Sequence, residues 1–319
     1  MAGIIVVGAS AGGVSALQTL VAGLPADLPL PVAIVLHIGA HRSQLASILQ
    51  ERTRLRVFVA GDGMPAAAGT VYVAPPDHHL VVDGNIFRTL RGPRENMARP
   101  AIDPLFRSAA EYFGPGAIGV VLTGLLNDGS SGLFEIKRRG GLAIVQDPST
   151  ADQPGMPESA IRHVAIDYIL GLHDIGPLLG TLAAAMHAPD PVTEVAPMQI
   201  DANRFTPPVA QVCPDCGGAM QVLREDGMPV YRCHTGHRVT GQVLAASQLQ
   251  QIETHVESTI RLLHEASALA REFQVAAVAN ADPLAVQAWT QSQERMDQAM
   301  QRVLQLSDAL PRPDELDLT

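Results

Sequence analysis

Ser10 stands between glycines in Gly8-Ala9-Ser10-Ala11-Gly12. This is the G-x-S-x-G spacing that lifts a serine hydroxyl out of a sharp strand-to-helix turn and exposes it as a nucleophile. A serine nucleophile needs a base, and the base needs a group to orient it. His37 ends the apolar run Pro31-Val32-Ala33-Ile34-Val35-Leu36, and Asp128 lies in Leu125-Leu126-Asn127-Asp128-Gly129. In those roles His37 takes the Ser10 proton, and Asp128 holds the imidazole in the useful tautomer and stabilises its cation. The backbone N–H groups from Ala11 onward can turn towards the same point, where a helix N-terminus also favours negative charge. The chemistry implied is acyl transfer. A phosphate-cradling loop is the competing reading, but Gly8, Gly12 and Gly13 do not fit G-x-G-x-x-G, and no Gly-Lys-Ser/Thr follows.

These three side chains must be placed by the elements around them. Ile4-Ile5-Val6-Val7 reads as a fully buried strand and Val14 to Leu24 as the helix behind it. Further strands are expected at Pro31–His37, Arg56–Val59, Gly69–Pro76, Gly116–Gly124 and Gly141–Gln146, with a hairpin around Asp83-Gly84-Asn85. Helices are expected over 43–51, Ile102–Tyr112, Ser131–Arg138 and Leu178–His187. Alternation of strands and helices predicts an α/β fold with a doubly wound, mostly parallel sheet. Ligands bind such sheets beyond the carboxyl ends of the strands. Ser10, His37 and Asp128 each fall just past such an end, so the fold can bring them to one rim. The chain order Ser–His–Asp differs from the Ser–Asp–His order of the α/β-hydrolases.

Other polar residues read as structural. His41, His78, His79 and His163 suit satisfied positions, with His41 and His78 nearest the cleft, and cap or turn roles suit Asp103 and Asp147 better than catalysis. Arg88, Arg91, Arg94 and Arg99 form a basic loop that suits either an acidic partner surface or plain solvation. Met156 and Pro157 suit a cleft wall.

All three cysteines lie close together, in Cys213-Pro214-Asp215-Cys216 and Cys233-His234-Thr235-Gly236-His237. A C-x-x-C knuckle followed by a cysteine and a histidine four positions on supplies four tetrahedral zinc ligands. His237 is the better fourth ligand, because His234 adjoins Cys233 and would strain a tight chelate. Four protein ligands leave no place for water, so the expected zinc is structural. No cofactor is expected for catalysis. From Leu249, apolar residues at 252, 256, 260, 263, 266, 269 and 273 recur at near-heptad spacing. Asp282-Pro283 then opens a second helix through Trp289, Met296, Met300, Val303 and Leu306, completing an α-helical hairpin. Its stripes suit mutual packing or a partner surface.

Composition narrows the choice. Hydrophobic residues make up 47% of the 319 and charged residues 17%, values of a globular chain. Residues 1–187 carry 13 Lys and Arg against 15 Asp and Glu, and residues 188–319 carry 9 against 17. Neither part offers the basic surface of a nucleic-acid binder. No stretch reads as a signal peptide or a membrane span, so a cytoplasmic protein that is not membrane-inserted is expected. The expected division is 1–188 catalytic, 189–208 a Pro-rich linker, 209–240 a zinc-ribbon-like module, 241–310 the hairpin and 311–319 a tail.

The segments VGASAGG, IVLHI, VYVAPPDHHL, RPAIDPLFRSAA, GVVLTGLLNDGSSGL and IVQDPSTADQPGMPESAI resemble, in order and spacing, the catalytic domain of the chemotaxis protein-glutamate methylesterases, the CheB family. The resemblance covers residues 4 to about 175. It implies a serine esterase that hydrolyses glutamyl methyl esters on methyl-accepting receptor helices, releasing methanol, and in some relatives a glutamine deamidase. It implies Ser10, His37 and Asp128 as the triad, with the backbone at Leu125 joining Ala11 as oxyanion donor. It further implies a stand-alone form without the N-terminal receiver domain of many members, and other chemosensory proteins as partners through the C-terminal helices. Where the family reads Thr-Gly-Met-Gly, this chain has Thr123-Gly124-Leu125-Leu126, so a glycine is lost beside the oxyanion donor. The alternative function is a non-catalytic adaptor that only binds receptor.

Overall fold

The computed structural model describes residues 3–38, 43–186, 211–225 and 228–310; His41, the Pro-rich stretch 189–208 and the tail 311–319 lie outside them. In chain order the first elements are β1 (Ile4–Ala9), α1 (Gly13–Ala22), β2 (Val32–Leu36), α2 (Leu45–Gln50), β3 (Arg56–Val59), β4 (Met64–Pro65), β5 (Thr70–Val73), β6 (His79–Asp83) and β7 (Ile86–Leu90). They are followed by α3 (Ile102–Phe113), β8 (Ala117–Val121), α4 (Ser130–Arg138), β9 (Leu142–Gln146), α5 (Gly155–His163), β10 (Tyr168–Leu170) and α6 (Leu172–Met186).

Seven strands pair in the order β10-β9-β8-β1-β2-β5-β3, every pairing parallel. β4, β7 and β6 make a small antiparallel sheet beside it. β1 is buried along its whole length, and its alternation divides the core. Ile4 and Val6 join the cluster under α3 and α4, while Ile5 and Val7 join the one under α1 and α6. The chain leaves β1 for β2 on one side and later returns to β8 on the other. The strand order therefore reverses between β1 and β8, which opens a crevice at their carboxyl ends.

Three elements escaped the sequence reading: α5 and the short strands β4 and β10. α6 also begins at Leu172 rather than Leu178, running through Pro177 with Ile175 and Leu179 buried on either side of it. Burial against the sheet outweighs the local preference of proline to start or break a helix.

The described chain forms two compact units, Met1–Val243 and Leu244–Thr319. The first includes β11 (Met220–Glu225), β12 (Met228–Cys233) and β13 (Arg238–Thr240), a three-stranded antiparallel ribbon that carries the cysteines. The second consists of most of α7 (Gly241–Ala279) and all of α8 (Pro283–Asp308), the expected hairpin. Asp282 caps α8 by accepting the Ala285 N–H at 3.0 Å. The seam on α7 follows the expected stripe only from Val256 to Ala266: Ile252, Leu269 and Phe273 stay exposed, whereas Ser267 and Ala270 are buried. Small residues let the helices close, and Ser267 then donates to Asp297 at 2.7 Å and Gln274 to Thr290 at 2.7 Å. Phe273 stacks on Trp289 from the flank, with ring centroids 4.9 Å apart.

Candidate active site

β1, β2 and β8 each release one loop into the crevice, and Ser10, His37 and Asp128 meet there. His37 Nδ1 lies 3.1 Å from Ser10 Oγ, and its Nε2 lies 2.6 Å from Asp128 Oδ2. The ring thus faces the carboxylate with Nε2 and the hydroxyl with Nδ1, the reverse of the trypsin-like arrangement. General-base chemistry requires only that one ring nitrogen keep its proton on the acid while the other faces the serine. Gly12 makes the turn possible. It caps α1 in the left-handed region at φ 76°, where other residues are strained.

Asp128 is 3% exposed and His37 21%. Burial alone would raise the Asp128 carboxyl. Against it act the His37 hydrogen bond and charge, the Ile102 N–H at 2.7 Å and the Asn96 amide at 2.8 Å. Together they hold the group down at about 2. Oδ1 also accepts the N–H groups of Asp103 at 3.3 Å and Gly129 at 3.0 Å. Asp128 consequently closes the N-terminus of α3, whose own N-cap, Ala101, offers no side-chain acceptor. Gly8 lets α3 come this close, since a Cβ at that position would overlap the Ile102 side chain.

Asp103 is not a rival base. Its Oδ1 accepts from Gly129 at 3.1 Å and Gly132 at 2.7 Å, at the start of α4, and its Oδ2 accepts from Asn96 at 3.0 Å. The cap role that suits Asp103 from its place at the start of α3 is fulfilled on α4 instead. Burial, then the nearby Asp128 charge, push its carboxyl upward. Asp147 accepts from Ser149 N at 2.9 Å in a turn. His79 holds Pro93 O at 2.9 Å and the Ala101 N–H at 3.2 Å, His78 reaches Pro76 O at 2.9 Å, and His163 reaches Ser159 O at 2.8 Å. The basic loop is paired internally: Arg99 and Arg91 with Asp77, Arg88 with Asp62 and Asp83, and Arg94 with Asp215.

The loop after β8 lies against Ser10. A Cβ at Gly124 would come within 2.8 Å of Ser10 Cβ and would overlap the buried Met156 sulfur. Thr123 Oγ1 ties this loop to the elbow by donating to Ala11 O at 2.9 Å. Among the described residues, the N–H groups of Ala11 and Leu125 donate to no acceptor. Leu126, where the family motif has glycine, takes φ 62°, so the backbone keeps the glycine-like conformation with a leucine in it. The residue sequence reasoning missed is Asn96, whose amide bridges Asp128 and Asp103. An asparagine in a Gly/Pro/Arg-rich loop carries no signal of that role.

In the ribbon, Cys213, Cys216, Cys233 and His237 bring their ligand atoms within 4.8 Å of one another. Cys216 Sγ lies 3.6 Å from Cys233 Sγ, which in turn lies 3.5 Å from His237 Nδ1. Those separations match the edges of a tetrahedron built on Zn–S bonds of about 2.3 Å and are far too long for a disulfide. The Gly218 N–H and then the Thr235 hydroxyl bring the Cys216 thiol down to about 6, towards the thiolate a metal requires, whereas burial pushes the Cys213 thiol up to about 12, so a metal would bind there by displacing the proton. These residues fit a divalent metal of the zinc type.

Residues 5–179 match the family model described as CheB methylesterase. A provisionally named protein-glutamate methylesterase/protein-glutamine glutaminase of Leptospira interrogans is 43% identical over 176 residues, 54% of this chain and 91% of that protein. Protein-glutamate methylesterase/protein-glutamine glutaminase 2 of Anaeromyxobacter dehalogenans is 40% identical over 173 residues, 54% of this chain but 51% of the relative. The crystal structure of the Thermotoga maritima CheB methylesterase catalytic domain aligns with a TM-score of 0.56 and 34% identity, over 57% of this chain and 99% of that one. With its parallel sheet and with Ser10, His37 and Asp128 on one rim, this chain belongs to the CheB methylesterase family.

Proposed function

We propose that this protein is a serine esterase that hydrolyses glutamyl methyl esters on methyl-accepting receptor helices, with Ser10, His37 and Asp128 as its catalytic triad. The observation that carries the reading is the continuous hydrogen-bonded line from Asp128 through His37 to Ser10. Asp128 holds the proton on His37 Nε2 and leaves Nδ1 facing the hydroxyl. As Ser10 Oγ forms its bond to the ester carbon, its proton passes to Nδ1. The bond to methoxide then breaks, and the same proton leaves with it as methanol. Water, deprotonated by the same nitrogen, hydrolyses the acyl-enzyme and returns the glutamate carboxylate. A glutamine amide would follow the same course with ammonia as the leaving group. The N–H groups of Ala11 and Leu125 are proposed to receive the oxyanion. Two preorganised donors of this kind are worth about 10²-fold or more each in rate.

Zn²⁺ at Cys213, Cys216, Cys233 and His237 is proposed as a structural staple, and no metal is assigned to the chemistry. Receptor helices are the proposed partner, with other chemosensory proteins as candidates for the C-terminal hairpin. No helix among the described residues is long and apolar enough to cross a membrane. We place the protein in the cytoplasm.

The test is methanol release from methylated receptor membranes, compared between the wild-type chain and Ser10→Ala, alongside labelling by a fluorophosphonate probe. Release and labelling that both depend on Ser10 support the esterase. Receptor binding without either would turn the protein into an adaptor.

A further inference from the structure

Asn96 stands where the ribbon meets the triad. Its amide nitrogen gives one hydrogen to Asp128 Oδ1 at 2.8 Å and the other to Asp103 Oδ2 at 3.0 Å. Its amide oxygen accepts the Thr240 N–H at 3.2 Å, and its own N–H donates to Arg238 O at 2.8 Å. Both donors and the acceptor oxygen of the side chain are therefore engaged, between two buried carboxyl groups on one side and β13 on the other. The backbone here is left-handed at φ 49°, a conformation that asparagine tolerates better than most residues.

β13 is also the strand that leaves the metal-ligand cluster. His237 precedes Arg238 directly, and Cys233 N donates to His237 O at 3.0 Å. The attachment to the catalytic domain is broad. Thr240 Oγ1 donates to buried Asn127, next to Asp128, at 2.8 Å. Arg238 N reaches Arg94 O at 3.3 Å, Asp215 pairs with Arg94 at 3.7 Å, and Gly236 rests against Pro93. A loop whose dihedral angles are unfavourable stays in place only when its surroundings over-determine it. Here those surroundings are the Cys/His ribbon.

We propose that Asn96 is a positioning residue for Asp128, and that the Cys/His ribbon, through Arg238 and Thr240, holds Asn96 in place so that metal binding there supports the esterase. The proposal rests on the assignment of Asp128 to the triad. That carboxylate faces His37 after β2, His79 on β6 and Asp103 on α3, while Arg107 on α3 and Glu95 in the loop stand against Asp103. Removing the Asn96 donor takes away one of the hydrogen bonds that favour the charged form of Asp128. Asp128 then takes up a proton more readily, so activity that needs its charged form fails at a higher pH than before.

Three full-length variants separate the roles. Asn96→Gly keeps the left-handed backbone and its N–H bond to Arg238 while deleting the amide. It should lower kcat about 30-fold, the effect of one hydrogen bond to a charged group, with KM within about twofold. The acid limb of the kcat profile should move up by about one pH unit. Asn96→Asp retains the acceptor for Thr240 but puts a carboxylate oxygen where the donor was, and it should lose more activity than Asn96→Gly. A wild-type rate and pH profile in Asn96→Asp would reduce Asn96 to an anchor for the ribbon and overturn the positioning role. Thr240→Val, which loses only the bond to Asn127 and its helix-start contact, should lower kcat less than either.

The metal arm reads the rate at which a fluorophosphonate labels Ser10. A chelator should slow labelling of the wild-type chain about tenfold, and Zn²⁺ alone should restore it, whereas Asn96→Gly should respond to neither by more than about twofold. An unchanged labelling rate after the metal has been stripped overturns the link, as does a metal-free preparation that Zn²⁺ fails to accelerate. If the wild-type chain does not label at all, the esterase assignment has failed instead.

Discussion

Asp128 and Asp103 cap each other's helices. Asp128, just ahead of α4, accepts the first N–H groups of α3, and Asp103, in the first turn of α3, accepts those of α4. The exchange locks Asp128 between two helix N-termini, where the field of both favours negative charge. It also places two buried carboxyl groups side by side. Their environments push them in opposite directions: Asp128, paired with His37, goes down, and Asp103 goes up.

The catalytic assignment is checked by substitution. Ser10→Ala and His37→Ala should each lower methanol release by about 10³-fold or more while leaving circular dichroism and Tm close to wild type. Both residues lie on a rim that carries little of the core. Methanol release that survives either substitution in a folded variant overturns the assignment.

Stability should depend on pH through the carboxyl pair. For Asp128 the folded value, about 2, lies below the unfolded one. Its contribution, about 2 kcal/mol, is therefore full above about pH 4 and lost as pH falls towards 2. Asp103 is shifted the other way. Its contribution is full at acidic pH, below its unfolded value, and declines as pH rises towards its elevated one. Calorimetric Tm against pH should show both limbs. Asp128→Asn should flatten the acid one and Asp103→Asn the other.

Leu126 offers a gain in stability. Its φ of 62° costs a branched side chain about 1–2 kcal/mol, part of which glycine gives back as unfolded-state entropy. Leu126→Gly should raise the urea midpoint by an amount worth up to about 1 kcal/mol, with kcat retained. Leu126→Ala keeps the strain and should bring no gain.

Gly8→Ala should do the opposite. Its Cβ would drive Ile102 away from β1, and Ile102 supplies an N–H to Asp128. A destabilisation of about 1–3 kcal/mol and a lower kcat are expected together. Denaturant titration and turnover on the same sample would show whether the two losses travel together.

Much of this protein is written in its local sequence. The Ile4–Val7 run, the glycines around Ser10 and the alternation of strands with helices specify a parallel sheet, because periodicity and turn chemistry are local properties. The C-x-x-C spacing and its distant Cys/His pair likewise single out the metal-type cluster. What the sequence does not contain is the set of partners across space. Gly8 reads as a turn residue until α3 is seen packed on it. Asp103 reads as the cap of its own helix until α4 is found beside it. Asn96 carries no signal at all. Its role arises only because the chain folds the ribbon back onto the 93–96 loop, joining residues 144 positions apart. Hydrogen bonds between distant segments depend on which surfaces the packed core brings together, and only the tertiary structure decides that.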